Sequence, residues 1–544
     1  MAEYNTLAFM LDCSRNAVPN LTFLKNFIDL LSDMGYNELQ LYTEDTLKID
    51  GEPYFGYLRG GFSVREISEI DEYCAAKGMK LVPCIQTLAH LDRIFRWQKY
   101  NATVRDCGDV LLADREETYR LIEKEFYQIS QCFRSKKINL GMDEAHMLGL
   151  GRHLKEFGYE NPQEIFFRHL GRVLQIAKKY GFRAYLWSDM FIKYDNGGAY
   201  CVQNPKISQA AKDLMPAGVN LIYWDYNLRD PQIYRDMLEA HEKLGERDVT
   251  WAAACWSFLG MIPRNDYGIS AQKAAFPVMK KQGVKNYMLT FWGDDGAECS
   301  KLALLPTIFH FAEMAKGNFD EKDIARKFKD KFGIGFSEYL SVDLPNRIGD
   351  AGRPADVYNP AKYMLYNDCF LGVYDYTVDE ALCNCKKYTS YAKKLRRAAN
   401  DRSFGYVFDT AAKLCKVLAY KYEIGVKTRK IYKAGDREAA RNLLIEYDKI
   451  VKNLQSFYAS FKRQWHIENK AFGFEVQAAR IGGLLQRVKD CREELTKWIS
   501  GEIEKIEELE ESIDLDVYGR GADEKYAKQT VVANVYHDCI TTCY

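Results

Sequence analysis

The 544-residue sequence has no net charge: 76 Lys plus Arg are balanced by 76 Asp plus Glu. Without an overall field to gather a polyanion, nucleic acid is excluded as an expected partner, and so is an anionic membrane surface. No apolar run is long enough to span a bilayer. Met1-Ala2-Glu3-Tyr4-Asn5 lacks the basic stretch and apolar core of a secretory signal, so a cytoplasmic protein is expected. Proline is scarce, at 13 residues, and nothing is low-complexity; with 47% apolar and 28% charged residues the composition is that of an ordinary globular protein. Histidine is scarce too, at eight, and only His90 and His146 fall near the ends of candidate strands, so neither a metal nor a cofactor is expected. The 15 cysteines are odd in number and form no pair of CxxC motifs at zinc spacing, which reads as reduced thiols. Cys13 could act as a nucleophile, but no His partner is evident and packing is the better reading.

What is present is a repeated unit. The length exceeds what one hydrophobic core supports, so two or more domains are expected. Up to about residue 317, short apolar runs alternate eight times with amphipathic helical stretches, and eight such units close a (β/α)8 TIM barrel, an α/β fold. The runs are Leu7 to Asp12, Leu39 to Thr43, Leu81 to Gln86, Ile138 to Met142, Ala184 to Ser188, Leu221 to Asp225, Trp251 to Trp256 and Tyr287 to Trp292. Each is nearly continuous, as a strand buried on both faces requires. Helical periodicity lies between them, at Leu21 to Met34, Glu117 to Cys132 and Pro162 to Tyr180. From residue 318 to 544 an all-α helical domain is expected, with long helices at Asp379 to Ala399, Tyr406 to Lys433, Arg437 to Phe461 and Phe474 to Glu511 and a loop over Asp343 to Pro360. Those helices offer surface for a homodimer, though no feature demands one.

In such a barrel chemistry sits at the carboxyl ends of the strands. The ends read Asp12-Cys13-Ser14-Arg15, Thr43-Glu44-Asp45, Gln86 to His90, Asp143-Glu144, Trp187-Ser188-Asp189, Tyr223-Trp224-Asp225-Tyr226, Trp256 and Trp292-Gly293-Asp294-Asp295. Carboxylates walled by tryptophans describe a sugar site, because a pyranose packs its C–H faces on aromatic rings and offers hydroxyls to charged partners. Taken singly, each Trp reads as core packing and each Asp as a helix cap; their joint placement carries the inference. Trp187, Trp256 and Trp292 are the candidate walls.

In order along the barrel, these motifs resemble glycoside hydrolase family 20, the β-N-acetylhexosaminidases. Leu11-Asp12-Cys13-Ser14-Arg15 is similar to that family's LDxSR, whose Arg grips hydroxyls on the far side of the terminal sugar. Asp143-Glu144 resembles its DE dyad, Tyr223 and Asp225 its YxD, and Trp292-Gly293-Asp294 its WxE. Thr43-Glu44-Asp45 and Pro83 through His90 match its second- and third-strand patterns in part. The resemblance implies retaining, substrate-assisted hydrolysis of an oligosaccharide or glycoconjugate ending in N-acetylhexosamine, an exception to the scheme with a protein carboxylate as nucleophile. The 2-acetamido oxygen attacks the anomeric carbon, Glu144 protonates the leaving oxygen, Asp143 holds the acetamido N–H, and Tyr223 donates to the acetamido oxygen. Arg15, Asp225, Asp294, Gln86, His90 and Glu44 are the remaining implied substrate-binding residues, His90 and Glu44 also tuning Glu144.

Adjacent residues on a regular strand face opposite ways, so the dyad calls for a turn at the strand end. Departures are clear: HxGGDE is here Asn139 to Glu144, third-strand acidic residues are replaced by Cys84 and Gln86, and the eighth-strand Glu is Asp294. Two other readings were open on residues alone. One is another acetamido-sugar hydrolase, O-GlcNAcase-like or chitinase-like, whose Asp-Asp or DxE spacing is absent at strand four. The other is a non-catalytic sugar-binding protein.

Overall fold

The computed structural model describes residues 4–246, 248–258, 260–294, 296–348, 359–372, 374, 375, 378, 383–399 and 402–511. Eight parallel strands form a closed barrel in chain order: β1 (Thr6–Asp12), β2 (Glu38–Tyr42), β3 (Lys80–Cys84), β4 (Lys137–Asn139), β5 (Arg183–Trp187), β6 (Asn220–Trp224), β7 (Thr250–Cys255) and β8 (Asn286–Phe291). Closure is made by β1 against β8, with Thr6 opposite Asn286 and Leu11 opposite Phe291. Every strand begins one residue before its expected start, at a polar residue such as Glu38, Lys80 or Arg183. Apolar runs miss these residues because pairing in the ladder uses backbone groups, whatever the side chain.

The intervening helices show why the chain turns where it does. In Leu21–Met34 the Asn20 side chain accepts from the N–H of Phe23, and Gly35 closes the helix at φ 98°, where a residue with a Cβ would be strained. Its buried face is Phe23, Leu24, Phe27, Ile28 and Leu31, the spacing of an amphipathic helix docked on a sheet. The helix Val64–Ala76 opens on a reciprocal capping box between Ser63 and Glu66.

The chain divides into two compact units. One comprises Met1–Trp256, Asp266–Trp292 and Thr307–Ile324, and holds the barrel; the other comprises Ser257–Asn265, Gly293–Pro306 and Ala325–Tyr544. The second is built from the helices Asn384–Ala398, Gly405–Lys433, Arg437–Glu468 and Phe474–Ser500. On Arg437–Glu468 the buried residues Tyr447, Ile450, Leu454, Phe457 and Phe461 recur every three to four positions, one continuous apolar stripe.

Several expected bounds in this half are corrected. The helix expected over Phe474 to Glu511 stops at Ser500, because Gly501 takes φ 82° and its N–H caps Lys497 and Trp498; a short turn, Glu507–Glu510, follows. The helix expected to end at Phe461 runs to Glu468. The 3-10 helix Leu340–Asn346 overlaps the start of the expected loop, Asn359 caps the helix Pro360–Tyr366, and residues 349–358 lie outside the described residues. The expected helix start at Asp379 also lies outside them, and the described helix begins at Asn384. No helix among the described residues is long and apolar enough to cross a membrane.

Candidate active site

At the end of β1, the backbone N–H and the hydroxyl of Ser14 both donate to Asp12 Oδ1, at 2.8 and 2.7 Å. This Asx-type turn sets up the next residue, Arg15. Arg15 donates to Glu44 Oε1 from Nη2 at 3.1 Å and from Nε at 3.3 Å, and the hydroxyl of Tyr42 donates to the same oxygen at 2.9 Å. Burial pushes the Glu44 carboxyl up to about 7 against the opposing pull of Arg15.

Behind β3, Gln86 ties two strands' ends together. Its Nε2 donates to Asp143 Oδ1 at 2.7 Å and to the Tyr42 oxygen at 3.0 Å, while its Oε1 accepts from the N–H of Met142 at 3.0 Å. His90, at φ 60°, is held by its own N–H donating to Asp109 Oδ2 at 3.0 Å. Its Nε2 is 3.3 Å from Asp143 Oδ2 and 3.8 Å from Glu144 Oε2. Burial works against a charged His90, but Asp143 outweighs it and raises the imidazole to about 10.

The turn expected beyond strand four is present. After Asn139 the chain leaves the ladder, and Gly141, Met142 and Glu144 take φ 71°, 66° and 53°. A Cβ on Gly141 would lie 2.2 Å from Gln86 Oε1 and 2.7 Å from the Ile85 carbonyl, so only glycine fits. Left-handed residues break the two-residue alternation of a strand. Both carboxylates thereby reach one nitrogen, His90 Nε2. Left-handed Met142 and Glu144 store backbone strain at the dyad, fixed by the Gln86 contact and by Glu144 N–H donating to Asp189 Oδ2 at 3.0 Å.

The two carboxylates are driven apart. Burial disfavours ionised Asp143, yet His90 and Gln86 together hold it below its ordinary range. Glu144 is raised by burial and by the negative charge of Asp143. Its side chain remains 42% exposed, so an incoming molecule can reach it. Lys193 ion-pairs with buried Asp189 at 2.9 Å and stands 3.9 Å from Glu144 Oε1.

The aromatic residues are joined through Tyr226. Its hydroxyl accepts from Trp292 Nε1 at 2.9 Å and its carbonyl from Trp256 Nε1 at 2.9 Å. Trp292 stands edge-on to Tyr42 at 4.8 Å and 5.9 Å from Trp187. Trp256 packs on Tyr267 at 4.2 Å. The structure therefore brings together Arg15, Glu44, Gln86, His90, Asp143 and Glu144, with Trp292 beside Tyr42 and Trp187 beside Trp292.

Two expected site residues, Tyr223 and Asp225, are turned away from this group. Tyr223, expected to aim the acetamido oxygen, is fully buried, with its ring 5.2 Å from His241 and 6.4 Å from Tyr234, both on the helix Pro231–Lys243. It fills the layer between strand and helix. Its neighbour Trp224 faces the other way, its ring 5.9 Å from Lys193 Nζ and 5.1 Å from Tyr226. Asp225 is turned into its own loop, accepting from the N–H groups of Asn227 and Leu228 and from the Tyr234 hydroxyl. That pattern is an Asx turn. Asp294 is exposed and belongs to the second compact unit, and Asp295 lies outside the described residues. Reading strand ends alone missed Tyr42, Asp109 and Lys193, and left Asp189 and Tyr226 without roles. The four-residue spacing of Asp189 and Lys193 was a findable signal for a helical ion pair.

Among the described residues, Asp114, His153 and Glu160 could together hold a metal ion. Arg168 already bonds both carboxylates, donating to Asp114 at 2.6 and 2.9 Å and to Glu160 at 2.9 Å. A guanidinium thus supplies the positive charge the group requires.

The family model "Glycosyl hydrolase family 20, catalytic domain" matches residues 4–252, and "Glycoside Hydrolase 20C C-terminal domain" matches residues 337–528. The chain is similar to hexosaminidase D of Bos taurus, 22% identical over 260 residues that cover 45% of this chain and 70% of that protein. With hexosaminidase D of Homo sapiens it is 20% identical over 221 residues, 39% of this chain and 43% of that protein. Among solved structures it is similar to the β-N-acetylhexosaminidase from Bacteroides fragilis, at 17% identity and a TM-score of 0.47 over 62% of this chain and 72% of that one.

Proposed function

The chain belongs to glycoside hydrolase family 20, whose members hydrolyse N-acetylhexosaminides, and from that premise we propose that it is a retaining exo-β-N-acetylhexosaminidase using substrate-assisted catalysis. The observation that carries this reading is the adjacent pair Asp143 and Glu144, turned toward one nitrogen and shifted in opposite directions from the ordinary carboxyl range. Two carboxylates so separated divide the work of charge stabilisation and proton transfer.

In the first step the acetamido carbonyl oxygen bonds to the anomeric carbon as the glycosidic bond breaks, and Glu144 gives its proton to the departing oxygen. Asp143, kept ionised by His90 and Gln86, accepts the acetamido N–H and offsets positive charge on the forming oxazolinium ring. An intramolecular nucleophile held in place gains a large effective molarity. In the second step Glu144 takes a proton from water, whose oxygen bonds to the anomeric carbon on the face the leaving group vacated. Configuration is retained after two inversions. Arg15 and Glu44 supply charged partners for the sugar's hydroxyls, and the tryptophans around the strand ends favour a pocket for one terminal unit.

The test is release of p-nitrophenol from p-nitrophenyl β-N-acetylglucosaminide and its galactosaminide epimer, with and without a thiazoline mimic of the cyclised intermediate. Turnover blocked by the thiazoline supports the proposal and identifies the preferred epimer. Absence of turnover on both sinks it.

A further inference from the structure

Three aromatic rings, exposed Tyr54 and Tyr57 and half-buried Trp97, stand together on the loops that follow β2 and β3. Tyr54 and Trp97 are near-parallel, 29° apart with centroids at 5.4 Å, and Tyr57 stands edge-on to Trp97 at 5.3 Å. Tyr54 is 44% and Tyr57 46% exposed, large values for rings in mutual contact. Exposed aromatic clusters of this kind mark binding surfaces.

The cluster is built onto the catalytic loops. Gly56, between the two tyrosines, approaches the backbone of Asp45 so closely that a Cβ there would lie 2.0 Å from the Asp45 carbonyl oxygen. Asp45 directly follows Glu44. Arg59 then fastens the same loop to the end of β1, donating to Asp45 Oδ1 at 2.9 Å, to Asn16 Oδ1 at 3.2 Å and to the Ser14 carbonyl. Arg15 lies between those last two. Trp97 sits seven residues beyond His90 on the neighbouring loop.

The platform is also preformed. Buried Glu52 accepts from Lys99, from Lys124 at 2.7 Å and from the Tyr100 hydroxyl at 2.9 Å, and Phe55 packs edge-on to Tyr100 at 6.3 Å. Tyr54 lies between Glu52 and Phe55 in sequence, so it is held at both sides. A surface whose rings are already ordered loses little entropy when a ligand arrives.

We propose that Tyr54, Tyr57 and Trp97 form a sugar-stacking platform beside the catalytic pocket, which takes a further pyranose ring of the same substrate. The proposal rests on the reading of the neighbouring site as a hexosaminidase pocket. The chemistry of the patch selects the occupant. Flat rings offer faces to pyranose C–H groups and phenol tips to hydroxyls. The rings are interleaved with charged Glu52, Arg59 and Lys99, and Leu58 is the one aliphatic residue in the Tyr54–Arg59 stretch. A lipid tail would want a wider aliphatic surface.

The experiment uses the full chain carrying Glu144→Gln, so that ligands bind without turnover, and titration calorimetry with N-acetylglucosamine and its β-1,4-linked tetramer. The tetramer binds at least about tenfold more tightly than the monosaccharide, one decade of affinity being the scale of a good ring contact. Trp97→Ala removes that advantage and leaves monosaccharide affinity unchanged, while Trp97→Phe, which keeps a stacking ring, preserves most of it. Product analysis locates the platform: release of monosaccharide from the tetramer puts it on the leaving-group side, and release of disaccharide would refute the exo action on which the proposal rests.

Equal affinities for the two ligands would overturn the proposal, as would an advantage that survives Trp97→Ala. A variant that loses self-association while keeping its glycan affinities would instead identify the rings as a subunit contact. A tetramer preference abolished by Trp97→Ala in a protein that turns over no aryl glycoside would uphold the platform and refute the proposed function.

Discussion

His90 Nε2 lies 3.3 Å from Asp143 Oδ2, and this contact works against burial to hold the Asp143 carboxyl below its ordinary range. A positive imidazole raised to about 10 keeps Asp143 ionised, and ionised Asp143 in turn raises Glu144. Neither carboxylate acquires its character from its own surroundings alone.

Removing the proton donor should separate catalysis from binding. Glu144→Gln is expected to lower kcat by about 100- to 10,000-fold, the usual span for a general acid. The loss should be smaller for p-nitrophenyl glycosides than for natural oligosaccharides, because a good leaving group needs little protonation. Steady-state kinetics on both substrates check this, and equal losses would exclude Glu144 as the acid.

His90→Gln should move both limbs of the pH profile upward. The proposed mechanism needs ionised Asp143 on the acid side and protonated Glu144 on the alkaline side. The positive charge of His90 lowers both carboxyls, so its removal lets both rise. A kcat/KM profile that stays in place or moves to lower pH would contradict the pairing. Stability has its own sign: a group raised from 6.5 to about 10 on folding stabilises fully below pH 6.5, and that contribution is lost as pH rises toward 10. Thermal melts between pH 6.5 and 10 should therefore fall less steeply for the variant than for the wild type.

The backbone turn that presents the dyad gives a third test. Gly141→Ala places a methyl 2.2 Å from Gln86 Oε1 at φ 71°, a conformation that itself costs about 1–3 kcal/mol for a non-glycine residue. Gln86 must move, and with it the hydrogen bonds to Asp143 and Met142. A lower melting temperature together with at least a tenfold loss of kcat/KM is expected, the tenfold corresponding to about 1.4 kcal/mol of transition-state stabilisation. A fully active variant would show that Gln86 does not position the dyad.

The barrel was legible because an apolar run marks each of the eight strand positions, and the first strand's Asp12-Cys13-Ser14-Arg15 pointed to the site. What stayed hidden depends on tertiary contact. Left-handed Met142 is held by Gln86, 56 residues away, and local preference disfavours it. Tyr42 ends an apolar run and looked like core, yet its hydroxyl bridges Glu44 and Gln86. Gly501 sits inside a pattern that reads as one helix until its left-handed backbone ends it. The transfer of Ser257–Asn265 and Gly293–Pro306 to the second compact unit leaves no mark in chain order.

The sixth strand gives the sharpest test, because motif and structure disagree there. Family resemblance assigns the acetamido contact to Tyr223, but its ring lies against His241 and Tyr234 of the outer helix. Tyr226 holds Trp292 Nε1 by its hydroxyl, and Trp292 packs on Tyr42, which bonds both Glu44 and Gln86. Tyr226→Phe should release Trp292 and raise KM, with a loss in kcat/KM of about tenfold, or about 1.4 kcal/mol, within the range for a hydrogen bond whose buried partner is left unpaired. Tyr223→Phe should leave kcat/KM nearly unchanged. Parallel kinetics on the two variants decide: a severe loss in Tyr223→Phe with an unaffected Tyr226→Phe would restore the motif's assignment and refute the placement of Tyr223 between strand and helix.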